Sequence, residues 1–345
     1  MQLPYILLTN FFLTCLFVIV MRQVGLKINL VDVPGGRKQH QGNIPLVGGI
    51  AMFFGFLIAV VLIPTSVTSY YPLLLAAGLL VATGAIDDFY DISAKLRLIA
   101  QFIAMMIIIL VGKVVLFDLG NLLAFGNIHL GFLAIPFTLF ATLSLINAVN
   151  MMDGLDGLAG SLTLISLLFM LVVSLQAERF MDAQLLLIAM TTLLAFLCFN
   201  FPLPWRSQAK VFMGDAGSLF LGCLVAWFSL SLTQGDNAAV HPVIMLWFLA
   251  IPLFDLATVF TIRIKRKQSP LEPSRDHLHY HLMDKGFSRP TVLLLMCLIA
   301  FVMGLIGLVA HYLQLPDYIM LLLFIAIYIC YLRTMLKHRV QLAIN

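Results

Sequence analysis

Two adjacent carboxylates, Asp87 and Asp88, lie at one end of a strongly apolar segment, within the run 84–91. Charged side chains at a lipid boundary cost free energy unless a cation, a metal ion or a proton offsets them. A helix C-terminus also disfavours negative charge, so simple helix capping explains the pair poorly. We therefore expect Asp87 and Asp88 to be catalytic, as a general base or a proton shuttle.

A second polar run, NAVNMMDGLDG, spans residues 147–157 between two apolar segments. Asp153 and Asp156 are three residues apart, so on a helical turn they share one face. The two glycines of the run allow the backbone to approach a ligand closely. A helix cap would explain one of these polar residues but not the whole set, so the run predicts a binding function.

A third run, KVFMGDAGS at 210–218, places Asp215 between glycines at the start of an apolar segment. A carboxylate in this position suits a Mg²⁺ ion that bridges phosphates, with Mn²⁺ as an alternative. The free N–H groups and the dipole of a helix N-terminus also favour a phosphate there. An N-capping aspartate with no other role is the structural alternative.

The basic loop 262–290 carries the run RDHLHYH, which begins at Arg275. Three histidines at a spacing of two could form a zinc site, but no cysteine accompanies them and the nearby carboxylates suit Mg²⁺ better. Imidazole and guanidinium groups also bind a diphosphate. A solvated basic loop near anionic headgroups stays open as the alternative.

Two further features carry less information. Asp255 lies inside an apolar segment, where a carboxylate is functional by default, and Arg263 could pair with it. The segment 36–49 is basic and then glycine-rich, and it either holds a phosphate or simply ends a loop.

These runs are embedded in a chain that must be a membrane protein. Of the 345 residues, 62% are hydrophobic and only 10% are charged, which excludes a soluble core. Each of the five cysteines lies alone in an apolar run, and no two of them form a CxxC pair, so disulfides and zinc ligands are not expected. We predict an all-α fold with about eleven transmembrane helices in a single domain, residues 1–345. The expected spans are 3–22, 45–64, 71–88, 97–116, 130–148, 157–175, 183–201, 210–230, 242–261, 290–311 and 317–335.

The distribution of positive charge predicts the orientation. With the N-terminus outside and the C-terminus in the cytoplasm, 18 of the 20 Lys and Arg residues lie on the cytoplasmic side. Only Lys113 and Arg179 fall on the other side, and an even number of spans would remove this asymmetry. All four polar runs then share the cytoplasmic face, where an acidic and basic cleft fits Mg²⁺-dependent phosphoryl transfer between a soluble donor and a lipid acceptor.

Across nearly its whole length the chain resembles the polyprenyl-phosphate N-acetylhexosamine-1-phosphate transferases. The matching motifs are RKQHQGNIPLVGG (37–49), GAIDDFYDISAKLR (84–97), NAVNMMDGLDG (147–157), KVFMGDAGS (210–218), AIPLFD (250–255) and SPLEPSRDHLHYHL (269–282). The RDHLH form resembles the branch that loads GlcNAc-1-phosphate onto undecaprenyl phosphate, whereas the peptidoglycan branch carries three consecutive histidines. The chain departs from the branch at Tyr280, where a histidine is usual, and His281 follows it.

The resemblance implies a reaction and a set of roles. The implied reaction is attack of undecaprenyl phosphate on the β-phosphorus of UDP-GlcNAc, with UMP as the leaving group and a lipid-linked diphosphate sugar as the product. It would take place in the bacterial inner membrane, as the first step in the synthesis of a cell-envelope glycan such as lipopolysaccharide O-antigen. Asp215 would bind Mg²⁺ together with Asn150, and Asp87, with Asp88 beside it, would deprotonate or position the lipid phosphate. The implied substrate-binding residues are Lys38, His40, Asn150, Asp153, Asp156, Lys210, Arg275, His277 and His279. The possibility that the protein forms a homodimer stays open, and no nucleic-acid partner is expected.

Two alternatives remain at this level. The same chemistry could use another UDP-N-acetylhexosamine or UDP-MurNAc-pentapeptide as the donor. A secondary transporter would place its ionisable groups near the bilayer midplane, whereas here, with the exception of Asp255, they lie at the ends of the predicted spans.

Overall fold

The structure is a computed structural model that describes residues 2–33, 42–63, 66–202, 206, 208–267, 269 and 275–344. These ranges contain thirteen α-helices and one two-stranded antiparallel sheet. The helices are α1 (Gln2–Lys27), α2 (Gly48–Val61), α3 (Ser66–Tyr90), α4 (Ala94–Met106), α5 (Ala134–Met151), α6 (Leu158–Gln176), α7 (Phe180–Asn200), α8 (Gly214–Ser231), α9 (Pro242–Phe248), α10 (Ala250–Lys265), α11 (Leu278–Asp284), α12 (Arg289–Tyr312) and α13 (Asp317–Ile344). The sheet pairs β1 (Val31–Asp32) with β2 (Ile44–Pro45).

The expectation of an all-α membrane protein is confirmed. Among the described residues, nine helices are long and apolar enough to cross a membrane, and the α9–α10 pair makes a tenth if it is one broken span. Every one of the eleven predicted segments overlaps one of these helices, the broken pair or α2. The count of eleven stays a prediction, because the 14 residues of α2 rise only about 21 Å against a hydrocarbon core of about 30 Å.

The predicted span 242–261 is not one straight helix. α9 and α10 meet at Leu249 with a bend of 84°. Pro252 has no N–H group, so the carbonyl of Phe248 cannot receive its usual helical hydrogen bond. That carbonyl instead accepts a hydrogen bond from Ser166 Oγ at 2.8 Å. The bend redirects α10, which carries Asp255.

The central helix is α8, of which 89% is buried, and α2, α3 and α5 pack against it. Two glycines make the close approach possible. A Cβ atom on Gly49 would lie 2.0 Å from the nitrogen of Gly217, and one on Gly84 would lie 2.3 Å from the nitrogen of Ala216. The first turn of α8, which contains Asp215, is therefore held against both α2 and α3.

A partly buried ion pair lies at the opposite end of the bundle. Arg179, before α7, lies with Nη2 2.7 Å from Asp182 Oδ2. The hydroxyl of Tyr70 donates to Asp182 Oδ1 at 3.1 Å, and Arg179 also donates to the carbonyl of Ser231 at the end of α8. These contacts tie α3, α7 and α8 together at the end remote from Asp215.

Candidate active site

Three helices meet at the carboxylate of Asp215. Asn150, in the last turn of α5, donates from Nδ2 to Asp215 Oδ1 at 2.6 Å and to Ser218 Oγ at 2.8 Å. Arg97, in the first turn of α4, places Nη1 3.6 Å from Asp215 Oδ2. The sequence predicted Asp215 and Asn150 as partners, and the structure brings them into direct contact.

The two adjacent carboxylates at the end of α3 have different surroundings. Asp88 accepts hydrogen bonds from the N–H of Asp215 at 2.8 Å and from the N–H of Ala216 at 3.3 Å, one on each oxygen. Gly214, at φ +71°, passes so close that a Cβ there would lie 2.4 Å from Asp88 Oδ2. A carboxylate that accepts the first N–H groups of a helix acts as its cap. Asp88 therefore fixes the turn that presents Asp215.

Asp87 faces a cation instead. It is 6% exposed, and its Oδ1 accepts the N–H of Ile92 at 2.9 Å. Its Oδ2 lies 2.9 Å from Arg97 Nη1, the same nitrogen that approaches Asp215. Arg97 therefore links the two carboxylates, and its remaining N–H donors are suited to an incoming phosphate.

The turn 152–157 between α5 and α6 is pinned by hydrogen bonds at its far end. Asp156 Oδ2 accepts the N–H of Ala209 at 3.1 Å. Asn200, which the sequence did not single out, accepts the N–H of Gly157 at 2.8 Å and donates to the carbonyl of Val211 at 3.0 Å. These bonds connect the turn to the segment that leads into Asp215.

Asp153 remains accessible in this turn. Desolvation by the surrounding protein, followed by the charges of Asp215 and Asp88, raises the pKa of Asp153 well above its ordinary value. Its side chain nevertheless reaches solvent at the mouth of the cleft. A bound divalent cation would relieve the repulsion among these carboxylates and lower the pKa of Asp153.

The histidine motif is anchored on Asp255 of α10, which is fully buried. Asp255 Oδ2 lies 2.6 Å from His277 Nδ1, and its Oδ1 accepts the N–H of Leu278 at 2.8 Å. The hydroxyl of Tyr331, in α13, donates to the same Oδ1 at 3.2 Å. The intramembrane carboxylate that the sequence singled out is therefore tied to the histidine loop.

His279 connects this motif to the turn that contains Asp153. Its ring stacks on His277 with centroids 5.5 Å apart, and a Cβ on Gly154 would lie 2.6 Å from His279 Nε2. Burial, followed by the neighbouring His277, lowers the pKa of His279 to about 4, so the imidazole is neutral at pH 7. Neither ring nitrogen has a hydrogen-bond partner among the described residues. A buried imidazole with two unused nitrogens is suited to a bound ligand.

The other predicted residues have more open positions. Lys210 and Arg275 are exposed, and Arg275 lies over the ring of Tyr280 with its guanidinium carbon 5.0 Å from the centroid. The N–H groups of Gly48 and Gly49 donate to the carbonyls of residues 212 and 213, so these two glycines position the Asp215 segment and their N–H groups are not free for a phosphate. Lys38 and His40 lie outside the described residues.

The donor set fits Mg²⁺. The cleft offers the carboxylates of Asp215 and Asp153 and the amide of Asn150, all hard oxygen ligands. Within the described part of the chain, no three Asp, Glu, His or Cys side chains form a preformed metal centre. Mg²⁺ is usually held by one or two carboxylates, with water and substrate phosphates completing its shell.

Sequence comparisons agree with this geometry. The model of the family described as "Glycosyl transferase family 4" matches residues 70–233. The chain is 36% identical over 322 residues to undecaprenyl-phosphate α-N-acetylglucosaminyl 1-phosphate transferase of Yersinia pestis, covering 93% of this chain and 88% of that protein. It is 36% identical to the enzyme of the same description from Escherichia coli K12 (94% and 89% covered) and 34% identical to that of Haemophilus influenzae (92% and 89% covered). The chain therefore belongs to the polyprenyl-phosphate N-acetylhexosamine-1-phosphate transferase family, as its motifs predicted.

Proposed function

We propose that this protein transfers GlcNAc-1-phosphate from UDP-GlcNAc to undecaprenyl phosphate. An oxygen of the lipid phosphate forms a bond to the β-phosphorus of the donor, and the bond from that phosphorus to the bridging oxygen breaks. UMP leaves with the electron pair, and undecaprenyl-diphosphate-GlcNAc remains. The observation that carries the proposal is the convergence of four motifs, distant in sequence, on one cleft at one end of the helices.

The contacts support a division of tasks. Asp87 receives the proton of the lipid phosphate or orients it, and Arg97, 2.9 Å from Asp87, binds that phosphate. Asp215 and Asn150 would hold Mg²⁺, which would supply positive charge against the developing charge on the phosphates. Asp153 borders the nucleotide and metal region, and neutral His279 donates a hydrogen bond to the sugar diphosphate from a site that excludes water.

Asp88 and Asp156 take positioning tasks in this proposal. Both carboxylates accept backbone N–H groups, and in doing so they shape the segments that carry Asp215 and Asp153. Lys210 and Arg275, both exposed, supply positive charge at the cleft mouth.

The placement in the cell follows from the charge pattern. We place the cleft on the cytoplasmic side of a bacterial inner membrane, with the N-terminus outside, because 18 of the 20 Lys and Arg residues then face the cytoplasm. Arg179, one of the two exceptions, forms its ion pair with Asp182 at the other end of the bundle. UDP-sugars are made in the cytoplasm, so this side provides the donor.

The test compares donors on protein purified in detergent with undecaprenyl phosphate and Mg²⁺. We expect radiolabelled GlcNAc to move from UDP-GlcNAc into the organic phase, with loss of the signal in EDTA and in folded Asp215→Ala protein. Label that moves only from UDP-MurNAc-pentapeptide would assign the chain to the other branch. Absence of transfer from every UDP-sugar by folded protein would refute the enzymatic proposal and favour a transporter.

A further inference from the structure

One of the two least buried spanning helices, α13, provides a hydrogen bond to the candidate site. Only 17% of the apolar window of α13 is buried, so most of its surface faces lipid. Tyr331 nevertheless turns inward, and its hydroxyl reaches the carboxylate of Asp255 at 3.2 Å. Its ring packs on Phe254 with centroids 5.7 Å apart.

Three groups hydrogen-bond to the carboxylate of Asp255. An ionised carboxylate only accepts hydrogen bonds, which makes His277 Nδ1 the donor in its contact with Asp255. That bond fixes the ring orientation of His277, so Nε2 is the ring nitrogen that can contact a ligand. The N–H of Leu278 and the hydroxyl of Tyr331 share the second carboxylate oxygen. Together the three donors offset the cost of burying the charge.

The position of Asp255 is transmitted to the cleft by ring packing. The imidazole of His279 is nearly parallel to that of His277, at an interplanar angle of 12°. His279 in turn lies against Gly154, the residue after Asp153. A continuous path of contacts therefore runs from the C-terminal helix to the turn that borders the nucleotide region.

We infer that Tyr331 and Asp255 are positioning residues for recognition of the sugar-diphosphate donor. They hold His277 at a fixed orientation, and His277 holds His279 against the turn at Gly154. In the proposed function the lipid phosphate binds near Asp87 and Arg97, which are not part of this path, so its binding should not depend on the path. The inference rests on the proposed function, because the donor is taken to be UDP-GlcNAc.

The test is a double-mutant cycle between Tyr331→Phe and His277→Ala, measured as the Kd of UDP-GlcNAc by calorimetry in detergent with Mg²⁺ present. Tyr331→Phe removes only the hydroxyl and keeps the ring contact with Phe254. We expect it to weaken donor binding about tenfold in the parent protein, the size of one hydrogen bond to a charged group, and less than twofold in the His277→Ala background. The KM for undecaprenyl phosphate should stay within twofold.

Tyr328→Phe is the matched control, since Tyr328 lies one turn earlier, packs on the same Phe254 and makes no hydrogen bond to Asp255. It should leave the Kd unchanged. An equal loss from Tyr331→Phe in both backgrounds, or a lower unfolding temperature with an unchanged Kd, would overturn the positioning role. A parent protein that does not bind UDP-GlcNAc at all would instead refute the proposed function.

Discussion

The substitution Asp88→Asn separates a positioning role from a catalytic role at the paired carboxylates. The asparagine keeps one oxygen for the N–H of Asp215, but its NH₂ group then faces the N–H of Ala216, where the native bond is 3.3 Å long. Losing one charge-assisted hydrogen bond and part of the favourable charge at the start of α8 costs about 2 kcal/mol.

That cost falls on the turn that presents Asp215. If the whole of this free-energy cost weakens Mg²⁺ binding, the half-saturating Mg²⁺ concentration rises up to about thirtyfold. The value of kcat at saturating Mg²⁺ should stay within about threefold of the parent, because Asp87 and Arg97 keep their contacts. The assay is the initial rate of label transfer to lipid as a function of Mg²⁺ concentration.

Asp91→Asn is the matched control. Asp91 is exposed, at φ +50°, a backbone conformation that asparagine tolerates, and the charge change is the same. It should shift neither parameter. If Asp88→Asn instead lowers kcat at saturating Mg²⁺ by about a hundredfold or more, as loss of a general base does, the capping assignment is wrong.

Three further predictions concern other parts of the molecule. Arg97→Gln should raise the KM for undecaprenyl phosphate about tenfold and the KM for UDP-GlcNAc much less. Initial-rate assays with each substrate varied in turn measure both values. Equal increases in the two KM values would contradict the assignment of Arg97 to the acceptor. Arg179→Ala should destabilise the fold by about 3–5 kcal/mol, because it leaves Asp182 buried without its cation. The activity per folded molecule should stay normal. Thermal unfolding in detergent measures the loss of stability, and an unchanged unfolding midpoint would refute the prediction. His279 has a folded pKa of about 4, so between that value and about 6.5 the unfolded chain binds more protons, and stability falls on acidification. His279→Gln should reduce this fall by about 3 kcal/mol, and an unaltered pH dependence of the unfolding midpoint would count against a buried neutral imidazole.

Much of the helical frame could be predicted from the sequence, because lipid requires long apolar helices. The deviations arise from local backbone chemistry and tertiary packing. α2 begins only at Gly48, after β2 has paired with β1, and the N–H groups of its first two residues donate to the carbonyls of residues 212 and 213. The break at Leu249 follows from Pro252, but a hydropathy pattern cannot tell whether a proline bends a span or begins one.

The candidate site was predictable as a set of motifs but not as a set of roles. Polar runs at the ends of apolar segments identified Asp87, Asp153 and Asp215, because a charged group at a lipid boundary costs free energy and therefore indicates a functional role. Residue type and position alone do not distinguish Asp87 from Asp88, since the difference depends on which carboxylate faces α8, and only the family resemblance favoured Asp87.

Arg97, Asn200 and Tyr331 were not singled out, although Arg97 lies in a quoted motif. Their partners are distant in sequence, so only the fold reveals the contacts. A basic residue in the first turn of α4, soon after two carboxylates, is the one signal that could have indicated Arg97.

The most direct test of the account follows the β-phosphorus itself. The purified protein would be given UDP-GlcNAc labelled with ³²P at the β-position, undecaprenyl phosphate and Mg²⁺, and the organic and aqueous phases would be separated. Transfer of the sugar with its phosphate predicts ³²P in the lipid fraction and one unlabelled UMP for each lipid product. Label that stays in the aqueous phase as UDP, while the sugar moves to lipid, would contradict sugar-1-phosphate transfer, and absence of any lipid product from folded protein would contradict the proposed reaction as a whole.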